Sequence, residues 1–235
     1  MTFVETAKGI VDTARISVPT VLDAAMGRLG AEACDERLAW WSRKLFADAE
    51  VHLVVRGREN LGDGRETFIV MSNHQSLYDI PALYRAIPDR RLRMVAKAEL
   101  FDVPVWGRAM TAAGFVRVER GNRAQAVDAL RASTSKLSEG SLLWIAPEGT
   151  RSVTGLVGPF KSGGFYMALE TGHRILPVAI DGTRDVLPAR GTIVRKGKRV
   201  VVTILPPIDP KAYGKERRKE LMAAVHDAIV EAMGR

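Results

Sequence analysis

The stretch Phe68-Ile69-Val70-Met71-Ser72-Asn73-His74-Gln75-Ser76-Leu77-Tyr78-Asp79 runs from a continuous apolar segment straight into a cluster of polar side chains. Four adjacent apolar residues, three of them aromatic or β-branched, predict a short strand covered on both faces, as inside a parallel sheet. A helix is predicted next, over 80–87, with Pro81 near its first turn, where a missing N–H is tolerated. Strand, polar loop and helix then recur in kind. Strands are predicted over 92–96, 115–118, 142–146, 175–180 and 199–205, and helices over 103–113, 123–137, 165–170 and 217–233, with Gly172 ending the third. Upstream, Val51, Leu53 and Val55 alternate with His52, Val54 and Arg56, which adds one more strand. The alternation predicts an α/β fold with a single mixed, largely parallel sheet flanked by helices.

Residues 2–46 read as two helices. Phe3, Val4, Ala7, Ile10, Val11, Ala14 and Ile16 recur at near-helical spacing, and Pro19 is expected to interrupt or restart that helix. Cys34, Leu38, Trp41 and Leu45 mark the second. Trp40 and Trp41 beside Arg43 and Lys44 suit a helix lying in a bilayer interface, and equally an ordinary packed hairpin. No Pro/Gly/Ser-rich linker divides the remainder.

The 235 residues carry 35 Lys+Arg against 27 Asp+Glu, a formal charge of +8. That balance suits nucleic acid, an anionic lipid surface or a phosphorylated substrate. With no recognised nucleic-acid motif and no aromatic residues interleaved with a basic stripe, specific nucleic-acid binding is not expected. The segment 190–220 is the most basic, holding Arg190, Arg195, Lys196, Lys198 and Arg199 near its start. The lone Cys34 cannot form an internal disulfide and no secretory leader precedes it, so the cytosolic side of a membrane is expected. No apolar run reaches the ~18 residues of a conventional spanning helix.

Ligands of such folds gather in the loops after the C-terminal ends of the strands. One loop supplies Asn73, His74, Gln75, Ser76 and Asp79; another supplies Glu148, Gly149, Thr150, Arg151 and Ser152. Of the four histidines, His52, His173 and His226 read as structural. His74 differs, because Asp79 lies five residues on and can reach the ring nitrogen turned away from a substrate. On spacing alone such a pair also arises by chance. A His–Asp pair needs a nucleophile. Ser72, Ser76 and Cys34 are the protein's candidates, none in a Gly-x-Ser-x-Gly elbow, and the alternative is a hydroxyl of the substrate. Clustered metal ligands, a G-x-G-x-x-G and a P-loop are all missing, so neither metal nor cofactor is expected. Arg117, Arg120, Arg123 and Arg151 offer planar forks for phosphate oxygens, with Lys97 and Lys161 as weaker members of the same positive pocket.

Taken together, the motifs resemble those of the glycerolipid acyltransferases, the family of 1-acyl-sn-glycerol-3-phosphate acyltransferases. Asn73-His74-Gln75-Ser76-Leu77-Tyr78-Asp79 resembles the family's first signature, and Gly114-Phe115-Val116-Arg117-Val118-Glu119-Arg120 its second. Pro147-Glu148-Gly149-Thr150-Arg151-Ser152 is similar to the third, and Leu176-Pro177-Val178-Ala179-Ile180 to the fourth. The match runs from about residue 68 to 180 in the family's order. The resemblance implies His74 as general base and Asp79 as its orienter. The nucleophile would be the hydroxyl of a lysophospholipid, with lysophosphatidic acid ranked first, attacking a thioester of acyl-CoA or acyl carrier protein. Arg120 and Arg151 would bind the phosphate, with Glu148, Gly149, Thr150 and Lys97 shaping the same pocket. Other acceptors, such as another lysophospholipid, lyso-ornithine lipid or glycerol 3-phosphate, stay open, as does a non-catalytic lipid-binding role. The resemblance further implies residues 1–48 as an amphipathic membrane-association segment and 49–235 as the α/β acyltransferase domain. The expected location is the cytoplasmic face of a membrane, attached peripherally to an anionic surface.

Overall fold

The computed structural model describes residues 3–119 and 140–234. The helix predicted over 123–137 and Arg120 lie outside them. Among the described residues seven strands form one sheet: β1 (His52–Arg56), β2 (Phe68–Ser72), β3 (Leu92–Lys97), β4 (Val116–Val118), β5 (Leu142–Ile145), β6 (Ile175–Asp181) and β7 (Arg199–Ile204). Their spatial order is β1-β7-β6-β2-β5-β3-β4. Every neighbouring pair is parallel except β6 and β7, so β1 and β7 run against the other five.

β2 is central and buried at every residue, as its unbroken apolar run requires. Its alternate side chains serve two cores. Phe68 and Val70 face Leu45 and Phe46 of α2 (Ala31–Asp48) and Ala82, Leu83 and Ala86 of α3 (Asp79–Ala86). Ile69 and Met71 face Phe165, Met167 and Ala168 of α6 (Gly163–Thr171) and Leu221, Val225 and Ile229 of α8 (Arg218–Ala232). Each of the Val, Leu, Ile, Phe and Met side chains among these contributes roughly 1.5–3 kcal/mol on burial. Phe68 pairs with Leu142 of β5, which pairs with Leu92 of β3, so these three strands start level with one another and end within about a residue or two of each other. The chain leaves β2 through α3 on one face and β5 toward α6 on the other. Where neighbouring parallel strands send the chain to opposite faces is the usual ligand position in open α/β sheets.

Two further short helices, α4 (Ala98–Phe101) and α5 (Trp106–Ala112), occupy the predicted 103–113 region and the residues before it. α5 starts later than the periodicity predicts because Val105 takes φ 65, which breaks the helix at that residue. A Cβ on Gly107 would lie 2.0 Å from the Phe101 carbonyl oxygen, so only glycine permits this reversal.

The N-terminal helices differ from expectation in two respects. α1 (Phe3–Ala25) runs straight through Pro19. The ring removes one helical N–H, but α1 is held on both sides of it: Trp41 Nε1 donates to Thr13 Oγ1 at 3.0 Å, and Arg37 donates to Thr20 Oγ1 at 3.0 Å and to Asp23. α1 is also turned inside out. Glu5, Asp12, Ser17 and Thr20 are buried, while Phe3, Val4, Ile10, Val11, Val18 and Leu22 are exposed. The two tryptophans belong to the hairpin itself, Trp41 through Thr13 and Trp40 beneath the Arg15 guanidinium, 5.1 Å from its ring centroid. Among the described residues no helix is long and apolar enough to cross a membrane.

Candidate active site

The loop between β2 and α3 turns so tightly that Asp79, the first residue of α3, folds back onto it. Asp79 is fully buried, and four donors converge on its carboxylate. Oδ2 accepts from His74 Nδ1 at 2.7 Å and from the backbone N–H groups of Gln75 at 2.7 Å and Ser76 at 2.9 Å. Oδ1 accepts from the Thr183 hydroxyl at 2.5 Å. The two backbone groups can only donate, so the carboxylate acts purely as acceptor and Nδ1 carries the imidazole proton. Nε2 is then the basic nitrogen. The His74 side chain is 17% exposed and meets Trp144 edge-to-face, with centroids 5.7 Å apart.

Both neighbouring hydroxyls are committed elsewhere. Ser72 Oγ donates to the Asn73 carbonyl at 2.8 Å and accepts from Trp144 Nε1 at 2.9 Å. Ser76 Oγ donates to the Leu187 carbonyl at 2.6 Å and accepts from the Tyr78 N–H at 3.1 Å. Both serines are fully buried, so neither stands ready as a nucleophile. The third candidate, Cys34, is buried in α2, and burial raises its thiol above the ordinary range, away from thiolate character.

Glu148 bridges the loops after β2 and β5. Its Oε1 accepts from the His74 N–H at 2.7 Å and its Oε2 from the Gly158 N–H at 2.9 Å. Burial pushes this carboxyl above its usual value, against the pull of the two N–H groups. The Ser152 N–H returns to the His74 carbonyl at 2.7 Å, so the β5 loop is sewn to His74 on both sides of the peptide. Gly149 takes φ 69, and a Cβ there would lie 2.9 Å from Lys161 Nζ. The positive φ favours glycine, and the flexible Lys161 side chain lies against the loop at this point. Thr150 is exposed and Arg151 half-buried on this loop, and Lys97 is half-buried at the end of the adjacent β3. Lys97, the Glu148–Arg151 loop and His74 therefore follow three neighbouring strand ends. Arg120 lies outside the described residues. Arg117 faces solvent, paired with Asp102 at 3.0 Å and Glu119 at 3.2 Å.

Four backbone N–H donors of these loops are already occupied. The N–H groups of residues 74–76 serve the two carboxylates, and that of Gly149 donates to the Ala146 carbonyl at 3.0 Å. The other histidines lie elsewhere: His52 opens β1, His226 on α8 packs against Phe160, and His173 lines a cavity of about 330 Å³ with Glu66, Arg174 and Lys211. The motifs end at Ile180, yet the segment after β6 also belongs to the site. Asn73 brackets Ile180, with Nδ2 donating to its carbonyl and Oδ1 accepting its N–H, both at 2.8 Å. With Thr183 on Asp79 and Leu187 on Ser76, residues 180–187, which include the one-turn helix α7 (Thr183–Val186), form the second half of the site. The sequence signal was Gly182-Thr183 directly after the proline-bearing strand.

A family model described as Acyltransferase matches residues 52–181, which hold the loops after β2 and β5 and end just before Thr183. The chain belongs to the acyltransferase family. Among curated members, the 1-acyl-sn-glycerol-3-phosphate acyltransferase of Saccharomyces cerevisiae is 32% identical over 193 residues, covering 81% of this chain and 62% of that protein. The chloroplastic 1-acyl-sn-glycerol-3-phosphate acyltransferase LPAT1 of Arabidopsis thaliana is 31% identical over 169 residues, covering 70% of this chain and 47% of that protein. This acyltransferase-family chain thus spans about half of one relative and under two thirds of the other. The crystal structure of the 1-acyl-sn-glycerophosphate acyltransferase PlsC from Thermotoga maritima matches with a TM-score of 0.74 at 26% identity, over 98% of each chain. The likeness therefore takes in the helical hairpin together with the mixed sheet.

Proposed function

We propose that the protein transfers a fatty acyl group from acyl-CoA or acyl carrier protein to the free hydroxyl of 1-acyl-sn-glycerol 3-phosphate, giving phosphatidic acid. The observation that carries this reading is the His74–Asp79 pair set beside two serines whose hydroxyls are already occupied. A base without a protein nucleophile fits direct transfer. The substrate hydroxyl gives its proton to His74 Nε2 as its oxygen attacks the thioester carbonyl. Asp79 stabilises the imidazolium that forms. The tetrahedral intermediate collapses, the C–S bond breaks, and the imidazolium returns the proton to the leaving thiolate. No acyl-enzyme and no cofactor beyond the thioester co-substrate is involved.

Arg151, with Lys97 and Arg120, is assigned to the acceptor phosphate, and Gly149 and Thr150 to the wall of that pocket. Glu148 is assigned to holding the His74 peptide. The exposed aliphatic face of α1 supports peripheral attachment of residues 1–48 to the cytoplasmic leaflet. Leu77, three residues after His74, and Val153 and Leu156, shortly after Arg151, add further exposed apolar side chains. Arg190 and Arg195, exposed on the segment that meets α1, are assigned to anionic headgroups.

The test compares acceptors in mixed micelles with a long-chain acyl-CoA. Charge-assisted hydrogen bonds contribute about 1.5–3 kcal/mol each. Lysophosphatidic acid should therefore exceed monoacylglycerol, which lacks the phosphate, by at least ~10²-fold in kcat/KM. Equal rates on the two acceptors would remove the phosphate assignment.

A further inference from the structure

We propose that Thr183 is a positioning residue for the His74–Asp79 pair, its buried hydroxyl fixing the plane of the Asp79 carboxylate and so the direction in which the imidazole is held. The inference rests on the reading of His74 as the base and extends it to a residue outside the two signature loops.

The load on Asp79 is uneven. Oδ2 takes three donors from its own turn, at positions 74, 75 and 76, whereas the Oδ1 contact comes from a residue 104 positions away. The carboxylate torsion is soft and roughly two-fold, so three bonds converging on one oxygen locate that oxygen without fixing the plane. A donor on the opposite oxygen does fix it. Thr183 is fully buried, and its hydroxyl reaches the carboxylate of a different element.

The surrounding backbone is built around this contact. Gly182 takes φ 86, and a Cβ there would lie 2.1 Å from the Arg199 carbonyl oxygen, so the turn that delivers Thr183 admits only glycine. Three residues upstream Ile180 is bracketed by Asn73, and four residues downstream Leu187 accepts from Ser76. Thr183 thus lies between two clamps on the His74–Asp79 loop, on a segment that cannot drift from it. Among the described residues, the Glu148 carboxylate, which holds the His74 N–H, is charge-coupled to both His74 and Asp79.

Thr183→Val keeps the shape and removes the donor; Thr183→Ala is a second hydroxyl-free variant should valine not fold, and Thr183→Ser keeps the hydroxyl. Purified full chain and His74→Ala are assayed alongside for kcat and KM from pH 5.5 to 9, with acyl-CoA and lysophosphatidic acid in mixed micelles. Thermal unfolding checks the fold of each. The hydroxyl-free variants should melt as folded proteins, lose about 10–100-fold in kcat and keep KM within about twofold. Their acid limb of kcat should move to higher pH, because a carboxylate relieved of one donor holds the imidazolium more strongly. Thr183→Ser should restore both readouts. Unchanged kcat and acid limb in the hydroxyl-free variants, with His74→Ala inactive, would overturn the role of Thr183 and leave the base reading standing. A loss in Thr183→Ser equal to that in Thr183→Val would also overturn it. Full activity in His74→Ala would instead remove the base reading, and this inference with it.

Discussion

Replacing Asp79 by Asn keeps the outline of the side chain and removes its charge. The amide oxygen can take the place of Oδ2, accepting from His74 Nδ1, Gln75 N and Ser76 N, while the amide nitrogen faces Thr183, whose hydroxyl turns to accept. Fold and tautomer are then retained. What disappears is the attraction between the carboxylate and the imidazolium that forms only as the proton is taken. At about 4 Å between charge centres and an effective dielectric constant of about 20, that attraction is about 4 kcal/mol. Solvent at the exposed edge of the ring, 17% of the side chain, lowers it somewhat. A loss of about 3–4 kcal/mol corresponds to a kcat about 10²–10³-fold lower. KM for lysophosphatidic acid should change little, since the ground state carries no imidazolium. The assay is initial-rate formation of phosphatidic acid from acyl-CoA in mixed micelles, with circular dichroism to establish that the variant is folded. A folded Asp79→Asn enzyme within tenfold of wild-type kcat would refute this reasoning.

Glu148→Gln leaves one of two buried N–H groups facing an amide NH₂, which should cost about 1–3 kcal/mol and lower the melting temperature by about 2–10 °C. Because burial raises the Glu148 carboxyl above its usual 4.5, the folded state binds that proton more readily than the unfolded chain. Its contribution is full below about pH 4.5 and is lost as pH rises through the raised value, so the stability gap between wild type and Glu148→Gln should narrow from pH 4.5 to 7 in denaturant titrations; a widening gap would contradict the sign. The double change Ile10→Asp and Val11→Asp lies on exposed positions of α1, so unfolding should shift by no more than about 0.5 kcal/mol per site. Sedimentation with anionic phosphatidylglycerol vesicles should fall at least ~10²-fold, from about 1.5–3 kcal/mol of lost apolar burial per side chain, and unchanged partition would argue against an interfacial α1.

Local chemistry made much of this legible from the residues. The run Phe68–Met71 could hardly be anything but a doubly covered strand, and the polar loop after it sits where such strands deliver ligands. The spacing of His74 and Asp79 became meaningful only with the resemblance, since a five-residue offset is common. The rest depended on long-range pairing. Nothing in Arg199–Ile204 records that β7 would run antiparallel to β6, because an alternating strand reads alike in either direction. Pro19 signals a break, yet Arg37 and Trp41 on α2 hold α1 together across it. The stripe Phe3, Val4, Ile10, Val11 gave the helix, but its outward orientation follows from Glu5, Asp12, Ser17 and Thr20 occupying the inner face. Glu148 and Thr183 owe their roles to partners 74 and 104 residues away, a relation that periodicity does not carry.

The central claim is that His74 takes the proton of the acceptor hydroxyl in a direct transfer. The most direct test is phosphatidic acid formation from long-chain acyl-CoA and lysophosphatidic acid by wild type and His74→Ala, each verified as folded. The account predicts product from wild type and a rate at least ~10²-fold lower in the variant, the scale expected on removing a general base. Equal rates from the two proteins would show that His74 is not the base and would contradict the mechanism.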